Sequence, residues 1–320
     1  MHSILITGGA GFIGSHLVEL LLENNHRVIV LDDLSTGSLE NLHSVENHRN
    51  FEFFRGDICD ADLVYELAAR CEHIYHLAAA VGVQLIVDNP VRTIETNISG
   101  TQIVFEAANK FKRKILIASS SEVYGKSLSM PFSEDNDMVF GGTQFSRWSY
   151  ACSKAIDEFL AFAFHRQYEL DVTICRFFNT IGPRQVGQYG MVVPRFITSA
   201  LKNEDITIYG SGKQSRCFCY VKDMVEAIAG LMNCSSTEKV VYNIGSTEEV
   251  TIEQLADRVI ELTQSSSRKR FISYQDAYGC PIDDMMRRVP SIERIRQTTG
   301  WQPKTNLTKA LQLIIENEKL

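Results

Sequence analysis

Short runs rich in apolar residues recur along the first half of the chain. Ser3-Ile4-Leu5-Ile6-Thr7 is the first, and 27–31 (RVIVL), 51–54, 73–77, 114–118 and 172–176 follow. Runs without polar alternation predict strands buried on both faces, the condition of a parallel sheet. Apolar positions spaced by three and four predict helices over 15–24, over 94–109 (with Asn97 and Gly100 inside) and over 150–168. Strand and helix alternate throughout, so the fold expected is α/β: a Rossmann-type doubly wound parallel sheet.

After Arg176 the pattern changes. Residues 179–195 are rich in Gly, Pro, Gln and Arg, which predicts an ordered loop over a site. Helices are expected over 191–201 and 224–232, strands over 206–209 and 240–244, and closing helices over 292–300 and 307–319. The polar stretch 264–270 reads as a surface loop. Without repeat, low-complexity tract or long linker, the second half is a cap packed on the first. The division expected is a dinucleotide-binding domain over 1–178, with return segments around 214–244, and a smaller α/β cap over 179–320 interleaved with it.

Composition narrows the function classes. The chain has 320 residues, enough for one large α/β domain or two smaller ones. A net charge of -7 argues against a generic nucleic-acid or membrane-surface binder. Neither a bilayer-length apolar run nor a leader-like N-terminus is read. Eight scattered cysteines without a C-x-x-C pair fit reduced core thiols in a cytoplasmic protein. With the dispersed histidines they predict no metal site.

The chemistry begins at the first turn. Gly8, Gly11 and Gly14, with Phe12 and Ile13 in the same cofactor-binding turn, follow a strand and open a helix, the context of a dinucleotide fingerprint. Glycines there allow a tight turn and close backbone approach to pyrophosphate, and the helix N-terminus attracts it. Asp32 ends the second strand, where a carboxylate binds both ribose hydroxyls and repels a 2′-phosphate, favouring NAD over NADP. Asp57, with Ile58, follows the third strand as a candidate adenine contact. Farther on, Tyr150 and Lys154 stand four apart on one helix face. The ammonium should favour the phenolate, so Tyr150 could act as a base below its usual pKa.

The spacing G-x-x-G-x-x-G with Tyr150-x-x-x-Lys154 resembles the short-chain dehydrogenase/reductase superfamily, in its extended branch that modifies nucleotide-activated sugars. The resemblance spans nearly the whole chain. It includes His76-Leu77-Ala78-Ala79, Asn97-Ile98-Ser99-Gly100-Thr101, Ser119-Ser120-Ser121-Glu122-Val123-Tyr124-Gly125, Arg176-Phe177-Phe178-Asn179 with Gly182-Pro183-Arg184, and Tyr209-Gly210-Ser211-Gly212-Lys213-Gln214-Ser215-Arg216.

What the resemblance implies is specific. Tyr150 would take the proton from the sugar 4-hydroxyl while hydride leaves C4 for NAD, and Lys154 would bind the nicotinamide ribose and lower the tyrosine pKa. Ser120 would bond the reacting oxygen. Leu77, Ala78, Ala79 and Asn97 would line the cofactor; Ser121, Asn179, Arg184, Arg216 and Arg288 would meet the nucleotide diphosphate or sugar. Members commonly dimerise through two helices, and Ile156, Phe159, Leu160, Ala163 and Phe164 give the Tyr-Lys helix excess apolar surface.

Glu122 separates the reactions. The 4-epimerases usually carry a small or neutral residue in its place, and the 4,6-dehydratases an Asp-Glu pair, of which Ser121 replaces the first. Ser121-Glu122-Val123-Tyr124-Gly125 with Arg147-Trp148-x-Tyr150 is most similar to the UDP-glucuronate decarboxylases, including the decarboxylase domain of the aminoarabinose pathway and UDP-apiose/UDP-xylose synthase. The stretch Tyr278-Gly279…Asp284…Arg288-x-Pro290-Ser291-Ile292 resembles the aminoarabinose-pathway decarboxylase domain, with Pro281 in place of its glycine. Oxidation at C4 makes a β-keto acid, whose C5 carboxylate leaves as CO₂. Glu122 would serve in proton transfer or positioning, and Arg147 or Arg216 would orient the carboxylate. Structural readings stand beside these: Glu122 as a backbone acceptor, Arg147 as an ion-pair partner. The segment Ala79-Ala80-Val81-Gly82-Val83 lacks the Cys-Pro of the UDP-xylose synthases, and epimerases tolerate apolar residues there, so 4-epimerisation is the alternative. A silent NAD-binding module would lack Ser120, Tyr150 or Lys154; all are present.

Overall fold

The structure, a computed structural model, describes residues 1–80, 90–145, 147–187, 191–234, 240–278 and 285–319, with the side chains of Arg147 and Tyr278 outside that description. The expectations that fall on Val81, Gly82, Val83, Gly279, Pro281, Asp284 and the Arg147 side chain therefore lie outside the described residues.

Six strands alternate with helices in the first half: β1 (Ser3–Thr7), β2 (Arg27–Asp32), β3 (Phe51–Arg55), β4 (His73–His76), β5 (Lys114–Ser120) and β6 (Val172–Phe177). Short strands β7 (Thr180–Ile181), β8 (Ile206–Tyr209), β9 (Ser215–Cys217) and β10 (Cys219–Tyr220) precede β11 (Val241–Ile244), which returns to the main sheet. That sheet is parallel, in the order β11-β6-β5-β4-β1-β2-β3. The chain runs outward from β1 through β2 to β3, then restarts on the other side at β4. This reversal opens a crevice beyond the carboxyl ends of β1 and β4.

Both faces of the sheet's centre are covered, which explains the apolar character of β1 and β2. Ile4, Ile6, Val28 and Val30 point into one core with α1 (Phe12–Glu23) and a helix over Val221–Met232. Leu5, Ile29 and Leu31 point into the other. There they meet α2 (Ala61–Ala69), α4 (Thr101–Phe111) and α5 (Arg147–Tyr168). Each fully buried Leu or Ile contributes roughly 1.5–3 kcal/mol relative to exposure. The predicted helix over 94–109 is interrupted: α3 (Pro90–Glu95) and α4 flank a π-helical turn, Thr96–Gly100.

The cap has its own core, where α6 (Val192–Leu201) and β8 pack against helices Ile252–Thr263 and Leu307–Glu318. Two expectations need correction. The stretch read as a loop over 264–270 ends in a strand, Lys269–Ile272, paired in parallel with β8. Its exposed Arg270 and Phe271 carry no apolar alternation, so the partner strand makes it. Helices Ala61–Ala69 and Ile252–Thr263 were also unread. The second begins with a capping box: Thr251 Oγ1 accepts from Gln254 N at 3.1 Å and Gln254 Oε1 accepts from Thr251 N at 3.0 Å.

Candidate active site

A cleft of about 670 Å³ runs from the first glycine turn, past the ends of β4 and β5, to the cap. Its first wall is mostly backbone. Gly8 has φ +74°, and its N–H is bound to Leu31 O at 2.9 Å, tying the turn to β2. A Cβ on Gly14 would stand 2.2 Å from Gly8 O, so turn and helix approach only because it is absent. Gly11 caps α1 without a side-chain bond, leaving the first-turn N–H groups for a ligand. Gly11, Phe12, Ile13 and Gly14 all line the cleft.

Asp32 closes this wall. Its Oδ2 accepts from Ala10 N at 2.9 Å and its Oδ1 from Leu34 N at 2.8 Å. Burial pushes the carboxyl above its ordinary pKa, against those two bonds and with the help of Asp33. Asp57, Ile58, Leu77, Ala78 and Ala79 line the same half. Asn97 does not. It is fully buried behind the loop, where its amide grips Ala80 N and O at 2.8 and 3.2 Å and reaches Ser153 Oγ. It holds the loop's shape. Beneath lies His76, bridged to Thr7 and Thr101 hydroxyls at 2.7 and 2.9 Å; burial, then Lys154, push its pKa down to about 3, so it is neutral.

The second wall is made of side chains. β5 ends at Ser120, whose Oγ accepts from Glu122 N at 3.2 Å and hydrogen-bonds the Tyr150 hydroxyl. Tyr150 and Lys154 face the cleft from α5. The expected lowering of the tyrosine pKa is not what the geometry gives. Burial pushes Tyr150 well above the phenol range and the Glu122 and Asp157 carboxylates add to it, while Ser120 and Arg288 oppose. The ammonium meant to help is engaged elsewhere: Lys154 Nζ lies 3.1 Å from Asp157 Oδ2.

The arginine beside Glu122 also differs from expectation. Arg288 Nη2 stands 2.8 Å from Glu122 Oε1, and its Nη1 points to Ser121 Oγ at 3.4 Å. Arg216 lines the cleft farther out, donating to Ser215 O at 2.8 Å, and Asn179 bonds Cys217 O at 3.2 Å. Arg184 is not in the cleft lining. Its backbone is left-handed, φ +70°, which turns the side chain to Glu19 on α1 at 2.5 Å. The substrate contact assigned to it is corrected to a tie between loop and helix.

Below this wall runs a buried network. Arg176 grips Glu158 through Nε–Oε1 at 2.9 Å and Nη2–Oε2 at 2.7 Å and bonds Tyr124 Oη at 2.9 Å. Ser119 donates to Glu158, and Tyr124 to Asn243, at 2.5 and 2.6 Å. Side-chain bonds and the charge of Glu158 outweigh burial and raise the Arg176 pKa. The network locks β5, β6 and β11 under the reacting groups.

Sequence reading missed Asp157 and the far end of the cleft. There Arg195 stacks on the Tyr209 ring at 3.8 Å, with Gln214 and Tyr274 alongside. A polar residue in the apolar run Val192-Val193-Pro194-Arg195-Phe196-Ile197 was the available signal for Arg195. Among the described residues there is no cluster of three or more potential metal ligands, and no helix is long and apolar enough to cross a membrane.

Comparison with known proteins places the chain in a family. The family model for GDP-mannose 4,6 dehydratase matches residues 5–314. A UDP-N-acetyl-alpha-D-glucosaminuronate decarboxylase of Bacillus cytotoxicus is 39% identical over 316 residues, covering 98% of this chain and 96% of that protein. UDP-glucuronic acid decarboxylase 3 of Arabidopsis thaliana is 39% identical over 321 residues, covering 99% and 89%. Among solved structures, the UDP-glucuronic acid 4-epimerase of Bacillus cereus, complexed with UDP-glucuronic acid and NAD, superposes with a TM-score of 0.88 at 28% identity, covering 99% of each chain. The UDP-glucose 4-epimerase of Thermotoga maritima gives 0.89 at 31%, covering 99% and 98%. The chain belongs to the GDP-mannose 4,6 dehydratase family, within the extended short-chain dehydrogenase/reductases.

Proposed function

We propose that this protein is an NAD-dependent enzyme that decarboxylates a UDP-linked uronate through a 4-keto sugar. The observation that carries the reading is Arg288, buried in the cleft and braced by Glu122 at 2.8 Å, close to the Tyr150–Ser120 pair. A guanidinium fixed by one carboxylate is oriented to receive a second, that of the sugar. Relatives at 39% identity acting on UDP-uronates support it.

The first wall fits NAD: the Gly8–Gly14 cradle would be filled by any Cβ, and the Asp32 carboxylate suits a ribose diol. Bound there, NAD supplies the acceptor, and later the donor, of the hydride at sugar C4. Tyr150 takes the 4-hydroxyl proton while Ser120 holds that oxygen. Lys154 holds the nicotinamide ribose. Arg288 orients the C5 carboxylate, which leaves as CO₂ once C4 is a ketone, and Glu122 keeps the guanidinium in place or returns the proton. Arg216 and Asn179 hold the diphosphate. The division of labour proposed is 1–178 with 214–244 for the dinucleotide and the rest of 179–320 for the sugar nucleotide.

Two further readings follow. Ile156 and Phe159 on α5 are 44% and 71% exposed, and Val91 of α3 is 66% exposed, which supports a homodimer through this face. The seven described cysteines are all free thiols, in keeping with a cytoplasmic enzyme.

Likeness to the Bacillus cereus UDP-glucuronic acid 4-epimerase favours epimerisation of a uronate as the second reading. One assay separates them: incubation with NAD and either UDP-glucuronate or UDP-N-acetylglucosaminuronate, read by mass and chromatography. A product lighter by one CO₂ is expected. An isobaric, separable product makes the enzyme an epimerase, and no turnover of any UDP-, GDP- or dTDP-sugar sinks both.

A further inference from the structure

Asp157 sits one helical turn beyond Lys154, on the buried side of α5. Its Oδ2 is 3.1 Å from the Lys154 ammonium, and the two side chains are only 1% and 3% exposed. The neighbouring carboxylate, Glu158, is fully engaged by Arg176, so the two acids of this turn serve different partners. Several groups face Asp157 and Lys154. From α5 come Tyr150 and Glu158, from α4 the Thr101 hydroxyl, from β4 the neutral His76. Facing Tyr150 are Ser120, Glu122 and Arg288.

We infer that Asp157 is a positioning residue that anchors the Lys154 ammonium and offsets its charge, thereby setting the acidity of Tyr150. The inference rests on Tyr150 being the base proposed above. A lone ammonium one turn from a phenol would favour the phenolate, whereas an ammonium neutralised at 3.1 Å presents little net charge. The electrostatics of the site agree. Asp157 is among the groups that raise Tyr150. Burial lifts Asp157 itself to about 6 in spite of the lysine. Contacts that draw Lys154 away from Asp157 would then release the base only when the site is filled.

The test compares the whole protein with Asp157→Asn and Asp157→Ser, two neutral replacements of different size in case one fails to fold. Tyr150 titration is isolated from the other ten tyrosines by subtracting the tyrosinate absorbance of Tyr150→Phe in each background, without substrate. Both replacements are expected to lower the Tyr150 pKa by about one pH unit or more, a tenfold change in its ionisation. Lys154→Met alone should raise it, and Lys154→Met with Asp157→Asn should return it close to wild type. The acid limb of the kcat/KM profile should move to lower pH in step. An unchanged Tyr150 titration in a folded neutral variant overturns the inference, as does a purely thermal destabilisation with the pH profile fixed. Because the titration needs no substrate, a failed decarboxylation assay leaves it standing. An unmoved titration in an active decarboxylase sinks the inference alone.

Discussion

The two walls of the cleft are built by different means. One, from Gly8 through Asp32 to Asp57, is a backbone surface whose shape depends on missing side chains and carbonyl-to-amide ties such as Gly8 N to Leu31 O. The other, from Ser120 to Arg288, is a surface of charged and hydroxyl side chains, several held by another side chain, as Arg288 is by Glu122 and Lys154 by Asp157, above the Arg176–Glu158 network. The contrast says how each should fail. Damage to the backbone wall should weaken cofactor binding whatever the sugar; damage to the side-chain wall, Lys154 apart, should stop turnover or destabilise the fold while the cofactor still binds.

Tyr150→Phe gives the largest separation. It should lower kcat by about 10²–10⁴-fold, while NAD affinity by calorimetry stays within about twofold; equal loss of both erases the distinction between walls. Arg176→Met, under the side-chain wall, strands the buried Glu158 carboxylate and should cost about 3–5 kcal/mol in urea unfolding. His76, at the seam between the walls, gives the pH arm. Its folded pKa, about 3, lies below the usual 6.5, so the unfolded chain takes up a proton that the native state refuses. Stability is therefore full above pH 6.5 and lost as pH falls toward 3, by about 1.4 kcal/mol per unit. His76→Gln should flatten that slope in denaturation curves at pH 7 and pH 5. On the backbone wall, Gly14→Ala should weaken NAD about tenfold, near 1.4 kcal/mol, and leave kcat at saturating NAD unchanged. Asp32→Asn should have the smallest effect, narrowing the preference for NAD over NADP by about 1 kcal/mol.

The same contrast explains what the sequence could reveal. Strands β1 and β2 were legible because burial on both faces leaves their centres apolar, and the glycine turn because its constraint is steric and local. Tyr150, Lys154, Ser120 and Glu122 were legible as residues and not as electrostatics. The tyrosine is raised first by burial and then by Glu122, and the Lys154–Asp157 pair depends on a side chain choosing one neighbour over another. Arg184 shows the same limit, since Gly182-Pro183-Arg184 does not say that a left-handed residue turns away to Glu19. Helix Ile252–Thr263 is a different case: its capping box was present in Thr251 and Gln254 and simply not read.

The bond between Arg288 and Ser121 spans 167 residues of chain. During synthesis at roughly 5–20 residues per second, Glu122 therefore waits on the order of 10–30 s for its guanidinium to be translated. The backbone wall has a shorter delay, since Gly8, Gly14, Asp32 and Asp57 all lie within 49 positions of one another. A nascent chain can shape its dinucleotide turn before Ser120 is made, but the half of the cleft that would handle the sugar is completed only once Arg288 has emerged.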